Sequence, residues 1–426
     1  MKKVNIGIIG LGTIGKGVYK ILLQRREFFK RKYGIDFHIA KVCDKNAKIR
    51  KRLNIKPKIF TSSFQNVISD KNIDVVIELI GGINPARDII LRSLQSGKKV
   101  ITANKALLSQ DLSLILSAAK KNKTQIRFEA SVCGGIPIIK SLTEGLVCDR
   151  IESMVGIING TSNYILSRMM QEECSFFEAL AEARKKGFAE RNPSLDIKGF
   201  DSAHKLSILA YLAFGKYVSQ KDIYVKGIED ISPLDIKYAK ELGLVIKLLA
   251  IAKKVDKNVL EVRVHPALIP RIHPLANVGG VFNAVYVKGE LVGDMLFFGK
   301  GAGQMPTASA VISDLFDLAM GKGSAESPQK DIIKKIKRID NIQSKYYIRF
   351  MAIDKPGVLA KISGVLAKRK ISIASVTQTE RQRARVVPVV MLTHDVREKD
   401  IRLALEEIDR LAIIRKNSVV IHREEF

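Results

Sequence analysis

Gly10-Leu11-Gly12-Thr13-Ile14-Gly15 is the segment that indicates how the first part of the chain folds. It follows a short apolar run from Val4 to Ile9 and precedes apolar residues that recur at helical spacing. Glycines in this pattern allow a tight turn and let backbone N–H groups approach a pyrophosphate at the start of a helix. The segment therefore predicts dinucleotide binding, and a glycine-rich turn that merely packs closely is the alternative.

Strand and helix patterns alternate through residues 1–135. Apolar strand patterns occur at Phe37–Cys43, Asp74–Ile80, Lys99–Ala103 and Gln125–Ala130, with helical stretches between them. This alternation predicts an α/β fold with a Rossmann-type, doubly wound parallel sheet. We expect a helix near residues 306–320 to return and complete this domain.

The remaining residues predict two further domains. Residues 136–305 mix helical and strand-like stretches, including a helix over Leu234–Ala252, and predict an α+β domain. Residues 321–341 carry Gly, Ser, Pro and Lys, which is typical of a linker. Residues 342–426 predict strand, helix, strand, strand, helix and strand in that order, which is a ferredoxin-like arrangement.

The composition is that of a folded protein, but the charge is strongly basic. The 426 residues include 72 Lys and Arg against 43 Asp and Glu, a net charge of +29, and most of the excess lies in residues 1–135. Such an excess raises the question of nucleic acid or an acidic membrane as a partner. Trp is absent, aromatic residues make up 6%, and no zinc-finger or RNA-binding pattern occurs, so we expect no nucleic-acid partner.

Cysteine spacing and hydropathy exclude other classes of protein. The four cysteines show no Cys-x-x-Cys spacing and are too few for a disulfide framework, which favours a cytoplasmic location. No apolar run in the sequence reaches the length that crosses a bilayer, so we expect no membrane partner. His265 and His273 have no third ligand at metal spacing, so we expect no zinc site there.

Eight further segments resemble the homoserine dehydrogenase family, and they occur in order without a large gap. They are Glu78-Leu-Ile-Gly-Gly-Ile-Asn-Pro-Ala-Arg87, Thr102-Ala-Asn-Lys-Ala-Leu-Leu108, Glu129-Ala-Ser-Val-Cys-Gly-Gly-Ile-Pro137, Asn159-Gly-Thr-Ser-Asn-Tyr164, Gly187-Phe-Ala-Glu190, Asp201-Ser-Ala-His-Lys205, His265-Pro-Ala-Leu-Ile-Pro270 and Gly301-Ala-Gly-Gln-Met-Pro-Thr-Ala-Ser309. The segment Asp354-Lys-Pro-Gly-Val-Leu359, with Ile371-Ser-Ile-Ala-Ser375, resembles an ACT domain. Together they resemble the monofunctional form of the enzyme with a regulatory tail. The resemblance implies that residues 136–305 form the catalytic and dimerisation domain and residues 342–426 the regulatory ACT domain.

The resemblance implies NAD(P)-dependent interconversion of L-aspartate 4-semialdehyde and L-homoserine, the branch step toward threonine, methionine and isoleucine. It implies that Lys205 is the proton donor, with Asp201 on the same helical face at i,i+4 spacing and Lys105 between nicotinamide and substrate. A protonated lysine can polarise an aldehyde and protonate its oxygen. An ordinary surface ion pair is the alternative for Asp201 and Lys205.

The substrate has an α-ammonium group, for which carboxylates are suitable partners. The implied substrate-binding residues are Gly187, Glu190, Asp196, Asp201 and Lys205. The alternative for Asp196 is a cap in a loop. Another amino-acid or sugar dehydrogenase with a similar first domain is the alternative for the whole chain.

The choice between NAD and NADP is left open by the residues after the second strand. The cofactor-binding set is Gly10, Gly12, Thr13, Ile14, Gly15, Asp44, Gly81, Thr102, Lys105 and Gly303. Asp44 suits a free ribose hydroxyl and favours NAD, whereas the basic residues around it could hold a 2′-phosphate. Cys43 stands where many relatives carry Arg, which favours dual use or an NAD preference.

The resemblance also implies a cation and an effector. Glu129, Val132, Gly134 and Ile136 match a monovalent cation site, suited to Na⁺. In the tail, the corner formed by Asp354, Gly357, Val358 and Leu359 matches the place where ACT domains bind amino acids, here threonine. ACT domains usually bind across a dimer interface, so we expect a homodimer or homotetramer. A tail that merely dimerises is the alternative.

Overall fold

The computed structural model describes residues 1–323, 333–378 and 385–426, so residues 324–332 of the predicted linker lie outside it. The strands are β1 Lys2–Ile9, β2 Ile35–Cys43, β3 Phe60–Thr61, β4 Val75–Glu78, β5 Lys99–Thr102, β6 Ile126–Arg127, β7 Ile151–Ile157, β8 Tyr224–Val225, β9 Leu244–Asp256, β10 Val259–Pro270, β11 Phe282–Gly289, β12 Gly293–Lys300, β13 Lys335–Ile336, β14 Gln343–Ile353, β15 Ile373–Thr377, β16 Val386–Thr393, β17 Val396–Arg397 and β18 Ile414–Arg423. The helices are α1 Thr13–Gln24, α2 Arg26–Tyr33, α3 Ala47–Arg52, α4 Gln65–Ile68, α5 Ala86–Gln95, α6 Lys105–Lys121, α7 Ile138–Lys140, α8 Gly160–Glu172, α9 Phe176–Lys185, α10 Ser194–Ile197, α11 Phe200–Phe214, α12 Pro233–Glu241, α13 Gln304–Ala319, α14 Val358–Lys368 and α15 Glu398–Ile408.

Contacts divide the chain into two compact units. The first comprises Met1–Ile151, His204–Gln220 and Asn283–Ile332, and the second comprises Glu152–Ala203, Lys221–Phe282 and Ile333–Phe426. The second unit thus combines much of the predicted catalytic domain with the ACT-like segment. The boundaries at 1–135, 136–305 and 342–426 stay a prediction.

The first unit contains a six-stranded parallel sheet in the order β3-β2-β1-β4-β5-β6. This order confirms the doubly wound parallel sheet predicted from the alternation of strands and helices. Helix α13 packs against α1 in this unit, and the ring of Phe316 lies 5.1 Å from that of Phe29 and 4.9 Å from that of Phe37. Because β1, β4 and β5 pair in parallel, their carboxyl ends lie together at one edge of the sheet.

Lysine side chains explain part of the basic excess in this unit. The carbonyl groups of Ala319 and Leu318, at the end of α13, accept hydrogen bonds from Lys2 and Lys99. Lys98 donates to the carbonyl groups of Asp70 and Ile73. Since the last carbonyl groups of a helix carry partial negative charge and have no partner within the helix, these lysines stabilise α13 and a neighbouring loop.

In the second unit, strands follow one another in the order β7-β9-β10-β18-β14-β16-β15. The last four strands, with α14 and α15 packed on them, form the predicted ferredoxin-like fold around a core that includes Phe350, Ile362 and Ile401. Strand β18 also pairs with β10 through His422 and Arg423. The ferredoxin-like segment therefore continues the sheet that β9 and β10 begin.

The predicted helix over Leu234–Ala252 is wrong in its second half. Helix α12 ends at Glu241, Gly243 adopts φ +70°, and β9 then pairs antiparallel with β10. The residues of β9 from Leu244 to Ala252 are all buried. Apart from Lys247 these residues are apolar, and such a run does not distinguish a buried helix from a strand covered on both faces, because neither shows alternation.

A buried ionic cluster lies where β10 meets β18. Arg263, 3% exposed, is ion-paired with Glu424 and donates to Glu261 Oε1 over 2.8 Å. The possible ligand atoms of His265, His422 and Glu424 lie within 4.8 Å of one another, which resembles a metal site. Arg263 Nη1, however, lies 2.8 Å from His265 Nε2 and pairs with Glu424, so a guanidinium already occupies the position that a metal ion would need.

Glu424→Ala is expected to lower the free energy of unfolding by about 3 kcal/mol, because it leaves Arg263 buried without that carboxylate. Glu425→Ala is the matched control, since the Glu425 side chain is 42% exposed and its ion pair should contribute less than about 1 kcal/mol. Urea unfolding followed by circular dichroism measures both changes. Equal losses in the two variants would contradict the buried ion pair as the stabilising contact.

Candidate active site

The glycine-rich loop lies between β1 and α1, as predicted. Gly10 adopts φ +97°, and its N–H donates to the carbonyl group of Cys43 over 2.9 Å. A Cβ atom on Gly15 would lie 2.0 Å from the carbonyl oxygen of Gly10, so no larger residue fits there. Gly12 directly precedes α1 and has open space where its Cβ would be, which leaves room for a ligand at the helix N-terminus.

Asp44 joins the end of β2 to this loop. Its Oδ2 accepts from the N–H of Leu11 over 2.7 Å and its Oδ1 from that of Asn46 over 2.8 Å. A cavity of about 350 Å³ lies beside it. The predicted residues that line this cavity are Gly10, Gly12, Asp44 and Gly81. The structure thus brings together the phosphate loop and the acid expected to contact the ribose, and the open glycine surface fits a dinucleotide.

Thr102 is hydrogen-bonded to a buried carboxylate at the same edge of the sheet. Its hydroxyl donates to Glu78 Oε2 over 2.7 Å, and both residues are fully buried. Burial raises the pKa of Glu78. Asn104 follows, with Nδ2 donating to the carbonyl of Gly82 over 2.6 Å and Oδ1 capping α6. Thr102 therefore has its hydroxyl directed to the protein interior, and Lys105, half-buried, begins α6.

Gly303 precedes α13 with φ +124°. The next residue, Gln304, donates from Nε2 to the carbonyl of Thr13 over 2.9 Å. Thr13 and Ile14 form the first turn of α1. The N-terminus of α13 is therefore fastened to the first turn of α1, and Gly303 directly precedes the residue that makes this contact.

Glu129 lies in a short turn after β6, and its buried carboxylate meets N–H groups of α7. Its two oxygens accept from the N–H groups of Ile139 and Lys140, each over 2.9 Å, and its own N–H donates to Asp314 Oδ2 over 2.8 Å. Burial raises the pKa of Glu129 to about 7 and also raises that of Asp314. The charge of Glu129 contributes to the raised pKa of Asp314, and two buried carboxyl groups that repel each other favour a proton or a cation.

The other residues of the predicted cation site follow Glu129 in the same loop. Val132 and Ile136 are buried, and Gly134 adopts φ +44°. A Cβ on Gly134 would lie 2.7 Å from the carbonyl oxygen of Gly301. Glycine is therefore required at this close approach, and the loop folds tightly after the carboxylate.

Two of the predicted acids in the second unit are bridged by Asn159. Its Nδ2 donates to Asp196 Oδ1 over 2.7 Å and to Asp201 Oδ2 over 2.8 Å. Asp201 is 4% exposed and Asp196 is half-buried. Gly187 ends the turn after α9 with φ +75°, and Glu190 is exposed between α9 and α10.

Helix α11 carries Asp201 and Lys205 four positions apart, so both lie on one face of the helix as the spacing predicted. Lys205 is 8% exposed. A surface ion pair would leave both side chains in water, and this burial argues against that alternative. Lysine is rarely buried unless its charge has a use or a partner.

Sequence reasoning gave no role to Glu78, Asn104, Asn159 or Asp314. Three of these four stand inside the segments quoted for the resemblance, so a signal was present in their position. Their partners are distant in the chain, as in Asn159 with Asp196 and Asp201, and no periodic pattern identifies such contacts.

Comparison with known proteins places these features in one family. The family model "Homoserine dehydrogenase, NAD binding domain" matches residues 10–129, "Homoserine dehydrogenase" matches residues 137–316, and "ACT domain" matches residues 346–412. A homoserine dehydrogenase of Neisseria gonorrhoeae is 40% identical over 433 residues, covering 100% of this chain and 99% of the relative.

This chain belongs to the homoserine dehydrogenase family.

Solved structures agree with that assignment. A homoserine dehydrogenase from Thiobacillus denitrificans is similar with a TM-score of 0.92 and 39% identity, covering 100% of this chain and 99% of the other. A hyperthermophilic archaeal homoserine dehydrogenase in complex with NADPH is similar with a TM-score of 0.65 and 25% identity, covering 75% of this chain and 98% of the other. Membership of this oxidoreductase family confirms the predicted enzyme class, the NAD(P)-binding Rossmann-type domain and the ACT domain.

The corner of the ACT domain lies between β14 and α14. Asp354 follows the strand, and its N–H donates to the carbonyl of Arg385 over 2.9 Å. Gly357 adopts φ +84° just before α14, Val358 is buried and Leu359 is 42% exposed. The predicted turn is therefore a strand-to-helix corner at the N-terminus of an eleven-residue helix.

No helix in the described ranges combines the length and apolar character that crossing a lipid bilayer requires.

Gly15→Ala is expected to lower both stability and cofactor affinity, whereas Gly12→Ala is expected to lower cofactor affinity alone. The Gly15 variant must displace the Gly10 carbonyl, so it should lose about 1–3 kcal/mol of stability together with cofactor binding. The Gly12 variant has space and φ −63°, so it should melt like the parent protein yet bind cofactor at least about tenfold more weakly. Thermal unfolding and fluorescence titration with NADH and NADPH separate the two effects. Normal affinity in both variants would exclude this loop as the pyrophosphate site.

Proposed function

We propose that this chain interconverts L-aspartate 4-semialdehyde and L-homoserine, with Lys205 as the proton donor. The observation that carries the proposal is Lys205 itself, a nearly buried lysine one helical turn after the buried carboxylate of Asp201. The match to the family over the whole chain supports the substrate. A sugar dehydrogenase binds no ammonium group and has no need of the acids near Asp201, and the family match over the whole chain argues against another amino-acid dehydrogenase.

The proton chemistry follows from the charge of lysine. When bound, the reduced nicotinamide supplies a hydride to the aldehyde carbon. The Lys205 ammonium polarises the carbonyl and transfers a proton to its oxygen, leaving a neutral amine that takes a proton from water. Oxidation of homoserine uses the same groups in reverse and requires the neutral amine, so its rate should rise with pH.

The acids of the second unit supply the recognition of the α-ammonium group. Asp196 and Asp201 are held beside each other by Asn159, and Gly187 and Glu190 belong to the segment that precedes them. We assign Lys105 to the space between nicotinamide and substrate because it follows the carboxyl end of β5, where doubly wound sheets bind their ligands.

For the cofactor we propose use of both NAD and NADP, with a preference for NAD. Asp44 lines the cavity, and an acid at this position suits a free 2′-hydroxyl. Burial raises the pKa of the Cys43 thiol to about 11, so this side chain offers a 2′-phosphate no charge. Lys45 also lines the cavity and is the cation available to NADP.

We also propose a monovalent cation, Na⁺, at the loop of Glu129, Val132, Gly134 and Ile136. The support is electrostatic, because Glu129 and Asp314 are buried carboxyl groups with raised pKa values. A cation beside them would stabilise the ionised form at neutral pH. Backbone carbonyl groups of the loop are suitable partners for a hard cation.

Lys205→Ala should lower kcat for homoserine oxidation by about 10²–10⁴-fold, the contribution of a positioned acid or base. Lys185→Ala, an exposed lysine on α9, is the control and should keep the parental rate. Comparing initial rates with NAD and with NADP tests the cofactor proposal. Comparing rates in sodium chloride with rates in choline chloride tests the cation proposal. A folded Lys205→Ala enzyme with full activity would overturn the assigned role.

We propose that the ACT domain binds threonine and that the protein is a cytoplasmic homodimer or homotetramer. The strand-to-helix corner at Asp354, Gly357, Val358 and Leu359 supports this site, because the N–H groups of Gly357 and Leu359 lie at the N-terminus of α14, where a carboxylate binds favourably. An amino-acid effector has such a carboxylate.

Threonine should inhibit the parent enzyme, and Asp354→Asn should weaken that inhibition at least about tenfold by removing a charge that can bind the effector's ammonium group. Asp395→Asn, an exposed position of the same domain, is the control. Rates across a threonine series, with light scattering for assembly, are the measurements. Saturating threonine without effect on rate or assembly would refute the effector site and leave a tail that merely dimerises.

A further inference from the structure

Asn159 makes three hydrogen bonds with a single side chain. Its Nδ2 donates to one carboxylate oxygen of Asp196 and one of Asp201, over 2.7 and 2.8 Å. Its Oδ1 accepts from the N–H of Ser162 over 2.8 Å and so caps α8. Because Oδ1 faces an N–H group, the amide has one acceptable orientation, with its NH₂ group toward the two carboxylates.

The contacts offset a repulsion between like charges. Two carboxylates that share one donor atom lie close together, and their like charges repel each other. Each hydrogen of the Asn159 amide neutralises part of one charge, and the N-terminus of the thirteen-residue helix α8 adds a favourable potential. Asn159 is 5% exposed, which strengthens these interactions.

A second contact fixes the backbone of the same region. Ser162 Oγ, in the first turn of α8, donates to the carbonyl oxygen of Asp196 over 2.9 Å. The N-terminus of α8 therefore holds Asp196 through both its side chain and its main chain. Asp201 is held through its side chain, in the first turn of the helix that carries Lys205.

We propose that Asn159 is a positioning residue of the reaction. It holds the carboxylates of Asp196 and Asp201 side by side, ready for the substrate ammonium group, and it steadies the first turn of α11. This inference rests on the proposed function, since Asp196 and Asp201 matter to turnover only if they bind that substrate.

Two substitutions preserve the helix cap and remove the bridge. Serine and aspartate are both good N-cap residues, so Asn159→Ser and Asn159→Asp should fold. Serine is too short to reach both carboxylates. Aspartate cannot donate when ionised and places a third negative charge beside the other two.

Asn159→Ser should raise the KM for homoserine at least about tenfold, the loss expected for hydrogen bonds to charged groups, and leave the KM for the cofactor unchanged. Asn159→Asp should regain activity relative to the parent enzyme as the pH falls from about 8 to about 5.5, because the introduced carboxyl group, once protonated, could donate one bond again. Steady-state kinetics measure KM and activity across this pH range, and calorimetry measures homoserine binding. Circular dichroism checks that the variants fold. Asn122→Ser, which removes a side-chain bond at the end of α6, is the control.

The outcomes separate this inference from the function on which it rests. A parent protein that does not reduce NAD(P) with homoserine would overturn the proposed function. An active parent with a parental homoserine KM in Asn159→Ser, or with a pH-independent activity ratio in Asn159→Asp, would overturn the role of Asn159 alone. Loss of the fold in both variants would also overturn it, since the residue would then be structural.

Discussion

A carboxylate removed from water must be given donors or a counter-charge, and this requirement organises each site of the protein. Glu78 is satisfied by Thr102 at the dinucleotide edge, Glu129 by two backbone N–H groups, and Asp201 by Asn159. These donors are a hydroxyl group, two backbone N–H groups and a side-chain amide, none of which carries a full charge.

Part of the large positive charge of the protein is used within its own fold. A net charge of +29 indicated a polyanionic partner, yet Lys2, Lys98 and Lys99 are engaged by carbonyl groups of the fold. Part of the basic surplus therefore stabilises the helix and loop ends at the amino edge of the parallel sheet. Most of the excess lies in residues 1–135, in the domain that binds an anionic dinucleotide, where a positive potential increases the rate of capture.

Features set by near neighbours in the chain were predictable, and features set by distant ones were not. The requirement for Gly10 and Gly15 follows from a turn between strand and helix, and the common face of Asp201 and Lys205 follows from helical geometry. Strand β9 was mistaken for helix because its apolar run has no periodicity. Arg263 and Glu424 are 161 positions apart, and no local pattern reveals that they meet. The direction of the Thr102 hydroxyl toward Glu78 likewise depends on a partner 24 positions away in the chain.

The pairing of β18 with β10 limits how freely the regulatory domain can be exchanged for another. In many multidomain enzymes such a module is joined by a tether alone, and recombination can replace it without loss. Here an incoming module would have to supply both a strand in register with Ala267 and Leu268 and an acid for Arg263. The catalytic segment and the ACT domain are therefore expected to be inherited together, and chimaeras joined in the linker should carry matched versions of both.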